Sequence, residues 1–337
     1  MLDPKMPRDR MQAETSVNKI QRCGLTLIEI VVTVTLIAIL IAILVPAIQA
    51  ARESARKTQC QSNLKQTSLA VHTFHNSHKS FPSPYGGTSL SYPLEVWDQF
   101  HMHSWRAALL PYMEQSSLHD AIDWHVLATD RVNETVANTV VSSYICPSGT
   151  SPSSDTGMSF PQERNPSNRD PEDRYHVVRS DYDALAGTGA EQGILWGVWG
   201  KPNFRVNPYG NPLDTEELLL AHSKGRFKDV SDGLSQTIMV VERGGRPLHM
   251  VDGLPNATST NPDATYAGQI AWSASNSLTW RLLPGKFSIN HDNQQSIYSN
   301  HAGGVYVAMS DGSVTYLSES TDLKTLSKMI GRNDGTN

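Results

Sequence analysis

Residues 24–46 read GLTLIEIVVTVTLIAILIAILVP, and from Leu25 to Val45 only Glu29 is charged. At about 1.5 Å per residue, roughly 20 helical residues cross a bilayer core, so this run predicts a spanning helix. The pattern then changes. From Ala47 onward Cys60, Leu64, Thr67, Val71 and Phe74 recur at alternating steps of four and three, one apolar face of an amphipathic helix that ends near His78, ahead of Pro82 and Pro84. Pro46 falls inside this run, where it can kink the helix without ending it. Leu25 to His78 would make about 80 Å of helix. Further on, VYVAMS (305–310) and SVTYLS (313–318) alternate with period two around Asp311-Gly312. They predict a β-hairpin with a two-residue turn, placing Val305, Val307 and Met309 on one face. Thr237–Glu242 reads as a buried strand, Trp105–Glu114 as a short helix broken by Pro111, and Asp322–Ile330 as an amphipathic helix built on Leu323, Leu326 and Ile330. Ser148–Arg174 is rich in Ser, Pro, Asp and Asn and reads as a mobile surface loop. Residues 186–213 read as long loops around short strands.

Composition adds little to this pattern. The chain has 28 basic and 33 acidic residues, net −5, against the strongly basic balance a nucleic-acid partner would call for. Behind the helix, roughly 260 residues remain for one sizeable domain. With 23 Gly and 19 Pro in the chain, a turn-rich β or α+β body is expected. The short arm before Gly24 is net positive, which predicts that it stays in the cytoplasm with the C-terminal domain on the other side. Of the three cysteines, Cys23 precedes the apolar run while Cys60 and Cys146 follow it. If the far compartment is oxidising, these two are the intrachain pair on that side; two buried free thiols are the alternative.

Two processing routes compete for the apolar run. A secretory signal peptide would be cut near Ala47–Ala50, but its apolar core should span about 7–15 residues, shorter than this one. The other route cuts before the run and keeps it. Gly24 followed by LTLIE resembles the type IV prepilin leader. That resemblance implies cleavage after Gly24 by a membrane aspartyl prepilin peptidase and methylation of the new N-terminus at Leu25, where the family usually has phenylalanine. It also implies that Glu29 pairs with the N-terminal amine of a neighbouring subunit, and that Pro46 is the helix-kinking proline of many pilins. The physical logic agrees, since a carboxylate in lipid needs a cation. Further matching segments are ARESARKTQCQSNLKQ, SWRAALLPYMEQ, YICPS, SDYDALAG, FKDVSDGLSQTIMVVE and NHAGGVYVAMSDGSVTYLSE. Together they resemble a family that joins a prepilin leader to a C-terminal domain of unknown function carrying a His-(nine residues)-Asp-Gly signature, here His301, Asp311 and Gly312.

The expected architecture is therefore α+β. Residues 1–24 form a leader, 25–45 a transmembrane helix, 46–78 a stalk helix, and 79–337 an extracytoplasmic antiparallel β-sheet domain with long loops, the signature hairpin lying at 300–319. The resemblance implies a minor pilin-like subunit of a type II secretion or type IV pilus-like machine in the inner membrane, with the prepilin peptidase and other pilin-like subunits as partners. A membrane-tethered module that binds sugar, peptide or calcium without polymerising is the alternative. Catalytic signatures such as GxSxG, HExxH and GxxxxGK[ST] are missing, and no EF-hand spacing supports the calcium option. His72, His75 and His78 recur every three residues but lack an accompanying carboxylate and read as a solvated face. His101 and His103 would share one face of a strand. A tethered hydrolase using His301 with a carboxylate such as Asp311 would need a deep pocket where the chain enters the hairpin.

Overall fold

In a computed structural model, residues 26–82, 85–86, 103–126, 128–149, 154–158, 174–185, 187–190, 193–196, 199, 225–246, 250–252, 254–255, 271–274, 289–293 and 296–331 are described. The chain divides into two compact units, Met1–Arg52 and Glu53–Asn337. Helix α1 runs without interruption from Leu27 to His78 and passes through Pro46. In the first unit its apolar side chains, among them Ile28, Val31, Leu36, Ile39, Ile43 and Val45, are exposed around the whole circumference. This helix is long and apolar enough to cross a membrane. Hydrophobic side chains on every face suit a lipid surround and not one side of a soluble core.

In the second unit the same helix becomes amphipathic. Its buried residues are Cys60, Asn63, Leu64, Thr67, Ser68, Ala70 and Val71, a stripe at steps of three and four. The stripe packs on a four-stranded antiparallel sheet made of β1 (Tyr182–Ala184), β2 (Ile238–Glu242), β3 (Gly304–Met309) and β4 (Val314–Ser318), in the spatial order β4-β3-β2-β1. Both faces are covered, which is why β2 and β3 are buried at every position. On one face Tyr182, Ala184, Met239, Val240, Tyr306 and Ala308 join Cys60, Leu64 and Val71 of α1. On the other, Ile238, Val241, Val305, Val307, Met309 and Leu317 meet Leu326 and Ile330 of α3 (Leu323–Ile330), whose N-cap Asp322 accepts from the Lys324 and Thr325 amides. The period-two reading of the hairpin and the buried character of β2 thus hold. A register shift at Ala308/Met309, which face Val240 and Ile238, makes Met239 the extra residue of a bulge in β2, and its carbonyl accepts the Trp199 indole N–H at 2.7 Å.

Helix α2 (Trp105–Leu109) is capped by the Ser104 hydroxyl and tightens into a 3₁₀ turn, Leu110–Met113, at Pro111. Three expectations need correction. The β3–β4 turn is not a two-residue Asp-Gly turn. Met309 and Ser313 are hydrogen-bonded to each other around a three-residue loop, and only Gly312 has positive φ, at 83°. A two-residue type I′ turn would need positive φ at Asp311 as well. The Ser148–Arg174 loop contains a strand, Ser154–Met158, paired with Arg174–Val178. Of the stalk histidines only His78 is exposed. His72 stacks on Phe227 with ring centroids 4.3 Å apart, and His75 lies 4.6 Å from the same ring. Their apolar surroundings push both pKa values down.

His103 is buried, and a ring nitrogen donates to the Val126 carbonyl at 3.0 Å. Burial pushes its pKa down to about 4 from 6.5. The unfolded chain therefore binds a proton that the fold refuses between these values, and stability is lost as pH falls from about 6.5 to about 4, by about 3 kcal/mol in full. Urea midpoints measured across this window should fall steeply in the parent and less steeply in His103→Gln. Parallel slopes would refute the assignment. His101 lies outside the described residues.

Candidate functional site

His301 sits just ahead of β3, its side chain fully buried. Its backbone N–H donates to the Ser299 hydroxyl, and its ring meets Tyr306 edge-on. Three segments remote in sequence converge on it. Glu53 of α1 places Oε1 2.8 Å from Nδ1. Glu242, at the end of β2, places Oε1 3.5 Å from Nε2, while its Oε2 accepts the Tyr306 amide at 2.8 Å. Cys146 Sγ also lies 3.5 Å from Nε2, and Cys146 is disulfide-bonded to Cys60 across a Cα separation of 5.4 Å. The strand period places Glu242 at the start of the cluster, and α1 carries Glu53 and Cys60 seven residues, or two turns, apart on one side.

The electrostatics follow from this packing. Burial opposes the imidazolium, but the carboxylates of Glu242 and Glu53 outweigh it and hold the His301 pKa above the ordinary histidine value. Partial burial likewise opposes the Glu53 carboxylate, yet hydrogen bonds from His301 and Arg56 bring its pKa below the usual value. Cys146 is held from behind, its N–H donating to Asp181 Oδ2 at 2.8 Å and Asp181 in turn accepting from Arg179 Nε at 2.9 Å. Asn63, one turn beyond Cys60, donates to the Ile145 carbonyl at 2.9 Å and fixes the same loop to α1.

Above the cluster opens a cleft of about 830 Å³ lined by Glu53, Arg56, Asp252, His291, Tyr298 and His301, among others. At its rim His291 Nδ1 lies 2.7 Å from Asp252 Oδ1. Such a polar cleft could hold a small polar ligand.

Asp311 and Gly312 do not join His301. They form the turn at the opposite end of β3, where Asp311 Oδ1 accepts from the Ser313 amide and hydroxyl, and the Gly312 carbonyl accepts from Lys65 Nζ at 2.6 Å. Asp311 is therefore not the carboxylate beside His301, although a cleft does open where the chain enters the hairpin. The nine-residue spacing instead measures a distance. Glu53 and Lys65 are separated by about 18 Å along α1, and the six residues of β3 span about 20 Å, so His301 and Gly312 reach the two contacts from the two ends of one strand. His301 and Gly312 thus tie the two ends of β3 to α1.

In the first unit Glu29 Oε2 accepts from the Thr26 amide at 2.8 Å and the Thr26 hydroxyl at 2.9 Å, and the Glu29 amide contacts Thr26 Oγ1 at 3.4 Å. This is a capping box, legible in the sequence as Thr26-x-x-Glu29 but passed over above. Gly24 and Leu25 lie outside the described residues. Glu242, at the end of a buried strand, reads from the sequence as a cap, a salt-bridge partner or a calcium ligand; Glu53, Asn63 and Asp181 carry no local signal, because their partners are too distant in sequence for periodicity to reveal.

A membrane-length helix continued into an amphipathic one, clamped by a hairpin on an antiparallel sheet, defines a helix-anchored α+β protein. The chain belongs to the family described as Protein of unknown function (DUF1559), whose model matches residues 49–324. No curated protein and no solved structure matches it.

Proposed function

We propose that this protein is a pilin-like subunit, made with a leader that prepilin peptidase removes after Gly24, methylated at Leu25, and held in the inner membrane by α1 with its C-terminal domain outside the cytoplasm. Its role is assembly and not catalysis. The apolar helix docks against those of other pilin-like subunits, and Glu29, already held by Thr26 within its own chain, takes a neighbour's N-terminal amine as a second partner. The observation that carries this reading is the first half of α1: apolar and exposed on every face, with a single carboxylate placed five residues after Gly24. The Thr26 cap would serve a plain anchor as well, but it supplies no cation, and a carboxylate in lipid costs on the order of 1 kcal/mol or more unless its charge is paired.

Intact-mass measurement of the purified protein should give a chain beginning at a methylated Leu25. Gly24→Leu should retain residues 1–24. A mature chain beginning near Ala51, or normal maturation of Gly24→Leu, would end the proposal.

The cleft beside His301 favours a second reading, a tethered binding module that does not polymerise. Glu29→Ala separates the two: it abolishes assembly in the first and leaves the second untouched. Changes at Tyr182 cannot serve this purpose, because Tyr182 is fully buried in β1 and would report folding.

A further inference from the structure

The cluster at His301 holds four metal-ligating groups from four separate segments. One donor atom each from Cys60, Cys146, Glu242 and His301 lies within 4.8 Å of all the others, and all four residues are buried. Glu242 Oε1 has no hydrogen-bond partner among the described residues, although Glu242 is 1% exposed. Its nearest polar partner is His301 Nε2, at 3.5 Å, so the buried carboxylate faces the ring nitrogen across the place a cation would occupy. Glu53 supplies the orienting contact. Accepting from Nδ1, it leaves Nε2 facing the sulfurs and Glu242 as the nitrogen that would coordinate once a metal ion takes the place of its proton, the arrangement that typically orients a metal-bound imidazole.

We propose that, with the Cys60–Cys146 disulfide reduced, Cys60, Cys146, Glu242 and His301 bind one zinc ion as a four-coordinate site. Two thiolates, an imidazole and a carboxylate are a donor set that suits zinc in closed tetrahedral sites. The spacing fits as well. Tetrahedral zinc with bonds of about 2.0–2.3 Å sets neighbouring donors about 3.3–3.8 Å apart. His301 Nε2 is already 3.5 Å from Cys146 Sγ and 3.5 Å from Glu242 Oε1, so mainly the sulfurs have to part. The cleft that reaches His301 gives the ion a path. Starting from the oxidised protein, a phosphine breaks the S–S bond in a two-electron step. The phosphine becomes its oxide, water supplies that oxygen and two protons, and two thiols result. Zinc then displaces both thiol protons.

The test uses the full chain in detergent, reduced with a water-soluble phosphine and titrated with Co(II) and then Zn(II). The expected result is a thiolate-to-cobalt charge-transfer band with intense four-coordinate d–d bands, lost on adding zinc, and stoichiometric zinc retained after desalting. The oxidised protein should give neither. Glu242→Gln and Glu53→Gln, each first verified to fold in the oxidised state, should weaken zinc binding by about tenfold to a hundredfold. If reduction alone unfolds the domain, zinc must restore its melting transition. Absence of the cobalt spectrum in the reduced protein, failure of zinc to refold it, or equal zinc binding by the Cys60→Ala/Cys146→Ala double variant would overturn the proposal.

Discussion

Cys146→Ala is expected to lower the stability of the oxidised second unit by about 2–5 kcal/mol. The bond closes a loop of 86 residues, for which the chain-entropy treatment gives a little under 5 kcal/mol of denatured-state restriction. The native geometry should survive, because the loop carrying Cys146 is held independently. Asn63 donates to the Ile145 carbonyl, and Asp181 accepts the Cys146 amide. Secondary structure should therefore be unchanged at low temperature while the denaturant midpoint falls under non-reducing conditions. A midpoint equal to that of the parent would mean that these hydrogen bonds alone fix the loop. The variant also separates two contributions of one sulfur pair, since it loses the covalent restriction in the oxidised state and the proposed zinc ligand in the reduced state.

Local pattern carried the sequence reading a long way. The two characters of α1, its end at His78, the buried β2 and the two faces of the β3–β4 hairpin all follow from periodicity, because each depends on neighbours within a few residues. The same logic failed where the deciding partner is remote. His72 and His75 look solvated in a polar stretch of sequence, and only the packing of Phe227, about 150 residues away, makes them aromatic-stacking residues. The Asp-Gly pair announced a turn but not its length, which depends on whether Asp311 adopts positive φ. The His301 signature was visible as a spacing, and its meaning needed α1: two polar contacts on a helix matched to the length of one strand. The cluster of Cys60, Cys146, Glu242 and His301 is the extreme case, successive members being 59 to 96 residues apart along the chain.

Asp183→Asn should be the more damaging point change, costing about 3–5 kcal/mol. Strand periodicity turns Asp181 and Asp183 away from the face that Tyr182 and Ala184 present to α1. There the Asp183 carboxylate meets Arg106 Nη2 and Arg243 Nη1, each at 3.0 Å, with Arg246 Nη2 at 4.0 Å. Arg106 and Asp183 are fully buried. Burial lowers the pKa of the Arg106 guanidinium, and Asp183 opposes this. An amide in its place preserves shape but leaves several guanidinium groups facing one another without the carboxylate between them. Breaking a buried pair from one side leaves an uncompensated charge, which is why its loss exceeds the net worth of the pair. Against a total of about 5–15 kcal/mol for a typical domain, this is a large share of the stability of this unit. Denaturant midpoints of the full chain in detergent should fall far more for Asp183→Asn than for Asp311→Asn, whose side chain lies exposed in the β3–β4 turn and bonds only locally to Ser313. A loss below about 1 kcal/mol for Asp183→Asn would show that the guanidinium groups find other acceptors, and that the Asp183 carboxylate is not what holds β1 against α2.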